Sequence, residues 1–167
     1  RRDKADEVAS QAVLFAVSDS AFVITDTSEF VCYLRIVGGG GEGDTLGFSE
    51  RAGASDGIDP EFGETELPPK PGPGIFDARW ELVGTNGSRS DVRDTAGLMQ
   101  PRRSFFLGLQ PGPGGYPMTL RWDPGELPAG RFFLTAAGAG GETTMTDMKT
   151  DSVLTLDDYI RMQDIVE

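Results

Sequence analysis

Short runs in which every second residue is apolar, each closed by glycine or proline, constrain this chain more than anything else in it. In "IFDARWELV", Phe76, Ala78, Trp80 and Leu82 alternate with Asp77, Arg79 and Glu81. In "FVCYLRIV", Phe30, Cys32, Leu34 and Ile36 alternate with Val31, Tyr33, Arg35 and Val37. A period of two belongs to half-buried strands. The runs "DTLGFSE", "RRSFFLGLQ", "PMTLRWDP", "RFFLTAAG", "ETTMTDM", "SVLTL" and "YIRMQDIV" continue the series. No stretch after residue 28 sustains a helical period. With 23 Gly and 11 Pro, turn residues make up about a fifth of the 167, above the usual share. The pattern predicts an all-β fold: an antiparallel β-sandwich of about eight or nine strands. Its expected core is Phe30, Leu34, Phe76, Trp80, Leu120, Trp122, Phe132 and Leu134, with Cys32 as a small core residue.

Residues 1–28 read as a separate N-terminal arm before a sandwich domain of residues 29–167. After a polar start, "QAVLFAV" is apolar on both strand faces, with Val13, Phe15 and Val17 on one and Ala12, Leu14 and Ala16 on the other. A helix over residues 5–17 is the competing reading, but Val and Phe favour a strand. A strand apolar on both faces must be covered on both. The arm is therefore expected to dock as an added strand, in a neighbouring copy or in its own sandwich. The assembly contacts expected of it are Val13, Leu14, Phe15, Val17, Phe22 and Ile24.

From Gly53 to Ile75 the chain carries no strand pattern. Its acids are dense and its prolines favour a stiff, extended path, so it reads as a long Pro-rich crossover between the edges of the sandwich. "DGIDPEFGE" brings Asp56, Asp59, Glu61 and Glu64 together between Gly and Pro bends. Calcium accepts irregular oxygen sets of this kind, which makes these four residues the candidate metal ligands and calcium the candidate cofactor. The spacing matches no EF-hand, and the plainer reading is a solvated loop.

Charge and composition narrow the function classes. A net charge of −12 leaves nothing to neutralise nucleic-acid phosphates or an anionic membrane. No apolar run approaches the ~20 residues of a membrane helix. The absence of histidine removes Ser-His-Asp and Cys-His catalysis, and the single cysteine removes any disulfide within the chain. Paired carboxylates for glycoside hydrolysis are outweighed by solvated loop acids. Trp80 and Trp122 are in phase with apolar neighbours and read as core rather than as sugar platforms. Asn86-Gly87-Ser88 fits a glycosylation acceptor, though a turn suffices to explain it. "GGGGEG" lacks the Gly-Lys-Ser/Thr of a phosphate loop.

The set formed by Gly53-Ala54-Ser55-Asp56-Gly57, Pro68-Pro69 and Phe76-Asp77-Ala78-Arg79-Trp80, with "SDVRDT", "MTLRWDPGELPAGRFFLT" and "TDMKTDSVLTL" further on, resembles modules of secreted and surface proteins of the Bacteroidetes and Chlorobi group, many exported by type IX secretion. The resemblance covers roughly residues 30–167. It implies an Ig-like module, extracellular or on the cell surface, with no enzymatic role and no catalytic residues. The arm lies outside it, and no further module follows, which would suit a processed subunit. The expected function is a structural subunit that polymerises head to tail with copies of itself through N-terminal strand addition. The alternative is a glycan- or ligand-binding accessory module of a secreted adhesin or enzyme.

Overall fold

The computed structural model describes residues 10–17, 29–95, 102–138 and 141–157. Within them lie ten strands: β1 (Ser10–Val17), β2 (Phe30–Val37), β3 (Gly43–Glu50), β4 (Asp77–Trp80), β5 (Ser90–Arg93), β6 (Arg102–Gln110), β7 (Met118–Arg121), β8 (Arg131–Ala137), β9 (Thr143–Asp147) and β10 (Val153–Leu156). Helical structure among the described residues is limited to 3-10 turns such as Pro60–Phe62 and Pro124–Glu126. The all-β expectation is met. After the arm the described residues hold nine strands, β2 to β10, with β5 forming where "GTNGSRSDVRDT" reads as loop, and β1 of the arm is the tenth. The run "YIRMQDIV" lies outside the described residues.

The strands form two five-stranded sheets, ordered β4-β6-β1-β8-β9 and β10-β7-β2-β3-β5. All pairs are antiparallel except β3–β5, which is parallel. Apolar positions from both sheets build one core. Trp80, Phe105, Leu107, Leu109 and Leu134 from the first sheet, and Leu34, Ile36, Leu46, Phe48, Met118 and Leu120 from the second, are fully buried. Aromatic edges join the sheets. Phe48 meets Trp80 at 5.7 Å and Phe105 at 5.1 Å between ring centroids, and Phe30 meets Phe132 at 5.7 Å. Such pairs add about 0.5–1.5 kcal/mol each beyond burial. The expected core residues are all buried except Phe76, which is half-buried against the cluster. Burial, with the Glu126 carboxylate as a lesser cause, pushes the Cys32 thiol up to about 12, so it is inert as a nucleophile.

Connectivity is decided by sheet changes that no local pattern records. β2 and β3 form a hairpin closed by a turn in which Gly38 N–H donates to Glu42 O at 2.7 Å. The backbone of Gly40 lies so close against Gly114 of the β6–β7 connection that a Cβ on Gly114 would collide with it. "GELPAG", which reads as a hairpin turn between β7 and β8, instead carries the chain from one sheet to the other. The antiparallel pairs β1–β8 and β2–β7 then describe a two-stranded ribbon rolled across both sheets. Two facing sheets are what this fold has in common with the Ig-like module that the resemblance implies.

Candidate functional site

Two places concentrate what the sequence singles out: the N-terminal strand and the long crossover. β1 occupies the centre of its sheet. Its backbone pairs with β6 over its whole length, from Ser10↔Leu109 to Val17↔Arg102, and with β8 from Ala12↔Ala136 to Val17↔Arg131. Because β1 is antiparallel to both, β6 and β8 run parallel to each other and do not pair. Two strand spacings of about 4.8 Å separate them, a slot about 9–10 Å wide. Val13 stands in register with Phe106 and Thr135, Leu14 with Phe105 and Leu134, Phe15 with Ser104 and Phe133, and Val17 with Arg102 and Arg131. Phe105 and Leu134 are fully buried, so the slot opens directly onto the core. Phe22 and Ile24 lie outside the described residues. In this structure the strand sits in its own chain's slot.

The crossover joins β3 in one sheet to β4 in the other, and polar side chains pin it along its length. Arg79 is buried. Its Nε and Nη2 donate to the two Asp77 oxygens, each at 2.6 Å, and its Nη1 donates to Pro68 O at 2.9 Å and Asn86 O at 2.6 Å. Asp77 and Arg79 are two apart on one strand, hence on one face. Asp91 and Arg93 on β5 repeat the arrangement, with Nε and Nη2 of Arg93 donating at 2.6 and 2.9 Å. Gln110 Nε2 donates to the carbonyls of Gly72 and Ile75, each at 2.8 Å, which holds the Pro-Gly-Pro stretch against the end of β6. Glu66 accepts from Asn86 N–H at 2.8 Å, and Leu67 N–H donates to Gly87 O at 2.8 Å.

The four candidate calcium ligands do not form one donor set. Asp56 turns to Arg93 at 3.0 Å. Asp59 accepts from Ser55 N–H at 2.6 Å and from Ser55 Oγ at 2.8 Å. Glu61 is exposed on the Pro60–Phe62 turn. Glu64 points inward, 2% exposed, its Oε2 accepting from Asp59 N–H at 2.6 Å and its Oε1 from Val92 N–H at 2.7 Å. Among the described residues no three acidic or cysteine side chains gather so that they could hold a metal ion. The physical reason is competition: a carboxylate that already accepts backbone N–H groups has few lone pairs left for a cation. These bonds tie the loop to itself and to β5.

Buried charge at this edge is costly and only partly compensated. Burial raises the Glu64 carboxyl above its ordinary range, against the pull of its two N–H bonds, with Asp91 and Asp59 adding repulsion. Burial likewise raises Asp91, against the opposing pull of bidentate Arg93. The guanidinium is in turn held above its ordinary value by Asp91 and Asp56, which outweigh its own burial. The two charge-assisted bonds favour the ionised form of both partners. Sequence reasoning missed the inward role of Glu64 and the two Asp-x-Arg clasps. The i, i+2 spacing of opposite charges within a strand was the signal available for the clasps.

The site is thus a central strand donated by the amino-terminal segment, in an all-β domain of two facing sheets whose edges are bridged by a pinned crossover. No protein-family model, curated protein or solved structure matches the chain. Among the described residues no helix is long and apolar enough to cross a membrane.

Proposed function

We propose that this protein is an extracellular or cell-surface structural subunit that assembles head to tail, the β1 segment of one copy filling the β6–β8 slot of the next. The observation that carries the reading is the position of β1. An N-terminal strand at the centre of a sheet, between two strands that do not pair with each other, is the element whose removal leaves two open edges over an exposed core. An identical strand from another copy makes the same ladder. Main-chain hydrogen bonds supply affinity in strand addition and alternate side chains supply specificity. A head-to-tail contact of this kind does not close on itself and gives filaments. The closed chain described above is then the self-complemented subunit. The resemblance to secreted surface modules supports the compartment, and two facing sheets are what the fold shares with the Ig-like module it implies. Trp80 and Trp122 give the glycan-binding alternative no platform, since both are buried.

The in-register pair Val13↔Thr135 provides a test. Cysteines at both positions, with Cys32→Ala, form a disulfide within one chain if β1 stays home and between chains if it is exchanged. A ladder of cross-linked oligomers after concentration supports assembly. Monomer alone, with the intact protein sedimenting as a monomer at all concentrations, rejects it. As a second arm, a chain lacking residues 1–18 should bind a peptide of residues 9–25.

A further inference from the structure

In a chain of net charge −12, the described basic side chains are almost all engaged internally. Arg51 pairs with Glu29, Arg79 with Asp77, Arg89 with Asp44, and Arg93 with Asp91 and Asp56. Lys149 Nζ donates to the carbonyls of Leu127 and Pro128, and Lys70 and Arg131 also have partners. Two described arginines stand apart. Arg35 on β2 and Arg121 on β7 make no hydrogen bond or ion pair among the described residues, both are exposed, and they are direct cross-strand partners. Like charges placed opposite each other destabilise a sheet. The carboxylates at that end of the β2–β7 pair turn to backbone donors and not to the guanidinium groups: Asp123 accepts from Gly125 N–H at 2.8 Å and Glu126 from Tyr33 N–H at 2.9 Å. Tyr33 lies two residues from Arg35 on the same face of β2, 53% exposed, its ring packed over Gly47 across the strand pair.

We infer that this outer sheet face, built on Arg35, Arg121 and Tyr33, is a docking surface for an acidic face of a second copy of the chain. Charge complementarity selects that occupant. Each copy carries a large excess of carboxylate, and the arginine pair is where two exposed guanidinium groups stand in register without an ion pair among the described residues. Paired guanidinium forks bind carboxylates bidentately, and a carboxylate between them relieves the repulsion that the free domain carries. The face belongs to the sheet that does not contain β1, so the contact is lateral and independent of strand addition.

The test compares wild type with the Arg35→Ala/Arg121→Ala double variant by sedimentation velocity at about 0.02 M and about 0.5 M salt, since exposed charge contacts are screened over this range. Wild type should show association at low salt that disappears at high salt. The double variant should lose that salt-sensitive association by about tenfold or more in affinity, with a melting temperature no lower than wild type. Association that survives high salt reports strand addition and is unaffected by the substitutions, so the two readings fail separately. Equal low-salt association of wild type and variant overturns the inference, as does a wild type without any salt-sensitive association. Polygalacturonate provides the remaining arm. Binding that depends on both arginines, without self-association, would assign the face to an acidic glycan instead and also overturn it.

Discussion

Replacing Glu64 with glutamine tests whether the crossover is held by its own hydrogen bonds. Glu64 is 2% exposed and places one carboxylate oxygen on each of two backbone donors, Asp59 N–H at 2.6 Å and Val92 N–H at 2.7 Å. Glutamine keeps the shape but has a single acceptor oxygen. Its NH2 group then faces a backbone N–H, donor against donor. A buried donor left without a partner costs about 1–3 kcal/mol, and the surviving bond loses its charge assistance. Relief from burying a charge offsets part of this. We expect a net loss of about 2 kcal/mol in urea unfolding, or about 4–8 °C in melting temperature for a domain of this size. Glu61→Gln, on the exposed turn three residues earlier, should stay within about 0.5 kcal/mol of wild type. The pH dependence follows from the raised carboxyl. The folded chain holds a proton that the unfolded chain releases, so this contribution is full below the unfolded value and is lost as pH rises through the folded one. Wild-type stability should therefore decline on raising pH just above the ordinary carboxylate range, and Glu64→Gln should flatten that slope. A Glu64→Gln loss below about 0.5 kcal/mol would refute the reasoning, because the two N–H groups would then have found other acceptors.

Three further outcomes are expected. Trp80→Ala removes a fully buried side chain that touches Phe48 and Phe105 and should cost about 3–5 kcal/mol in denaturant unfolding; a loss under about 1 kcal/mol would place Trp80 on the surface. Arg79→Ala strands the Asp77 carboxylate and the Pro68 and Asn86 carbonyls and should cost about 3–5 kcal/mol. Asp77→Ala/Arg79→Ala should be no worse than Arg79→Ala alone, and simple additivity of the two single losses would argue against the clasp. Thermal unfolding in excess calcium and in chelator should give the same midpoint, since Asp56, Asp59 and Glu64 are committed elsewhere and Glu61 stands alone; a higher midpoint in calcium would show that the loop can rearrange around a cation.

The sequence by itself determined the class of the fold and most of its interior. Alternation in "FVCYLRIV", "IFDARWELV" and "PMTLRWDP" places Leu34, Trp80 and Leu120 inside because a strand sends successive side chains to opposite faces. It also marked residues 11–17 as an apolar strand, and the structure seats that strand between β6 and β8 at the centre of a sheet. Tertiary structure decided what local pattern cannot encode. Whether "GELPAG" closes a hairpin or carries the chain to the other sheet depends on which strand waits at the far end. The parallel pairing of β5 with β3 turned an apparent loop into an edge strand, and Phe48 and Phe105 became central only when the sheets faced each other. The acids of the crossover looked like a ligand set because proximity in sequence suggests proximity of side chains. Folding instead sent Glu64 to backbone donors near Asp59 and Val92 and Asp56 to Arg93, because a buried N–H must find an acceptor and a buried charge must find a partner. Those partners lie up to 37 residues away along the chain, a separation that only the packed sheets close.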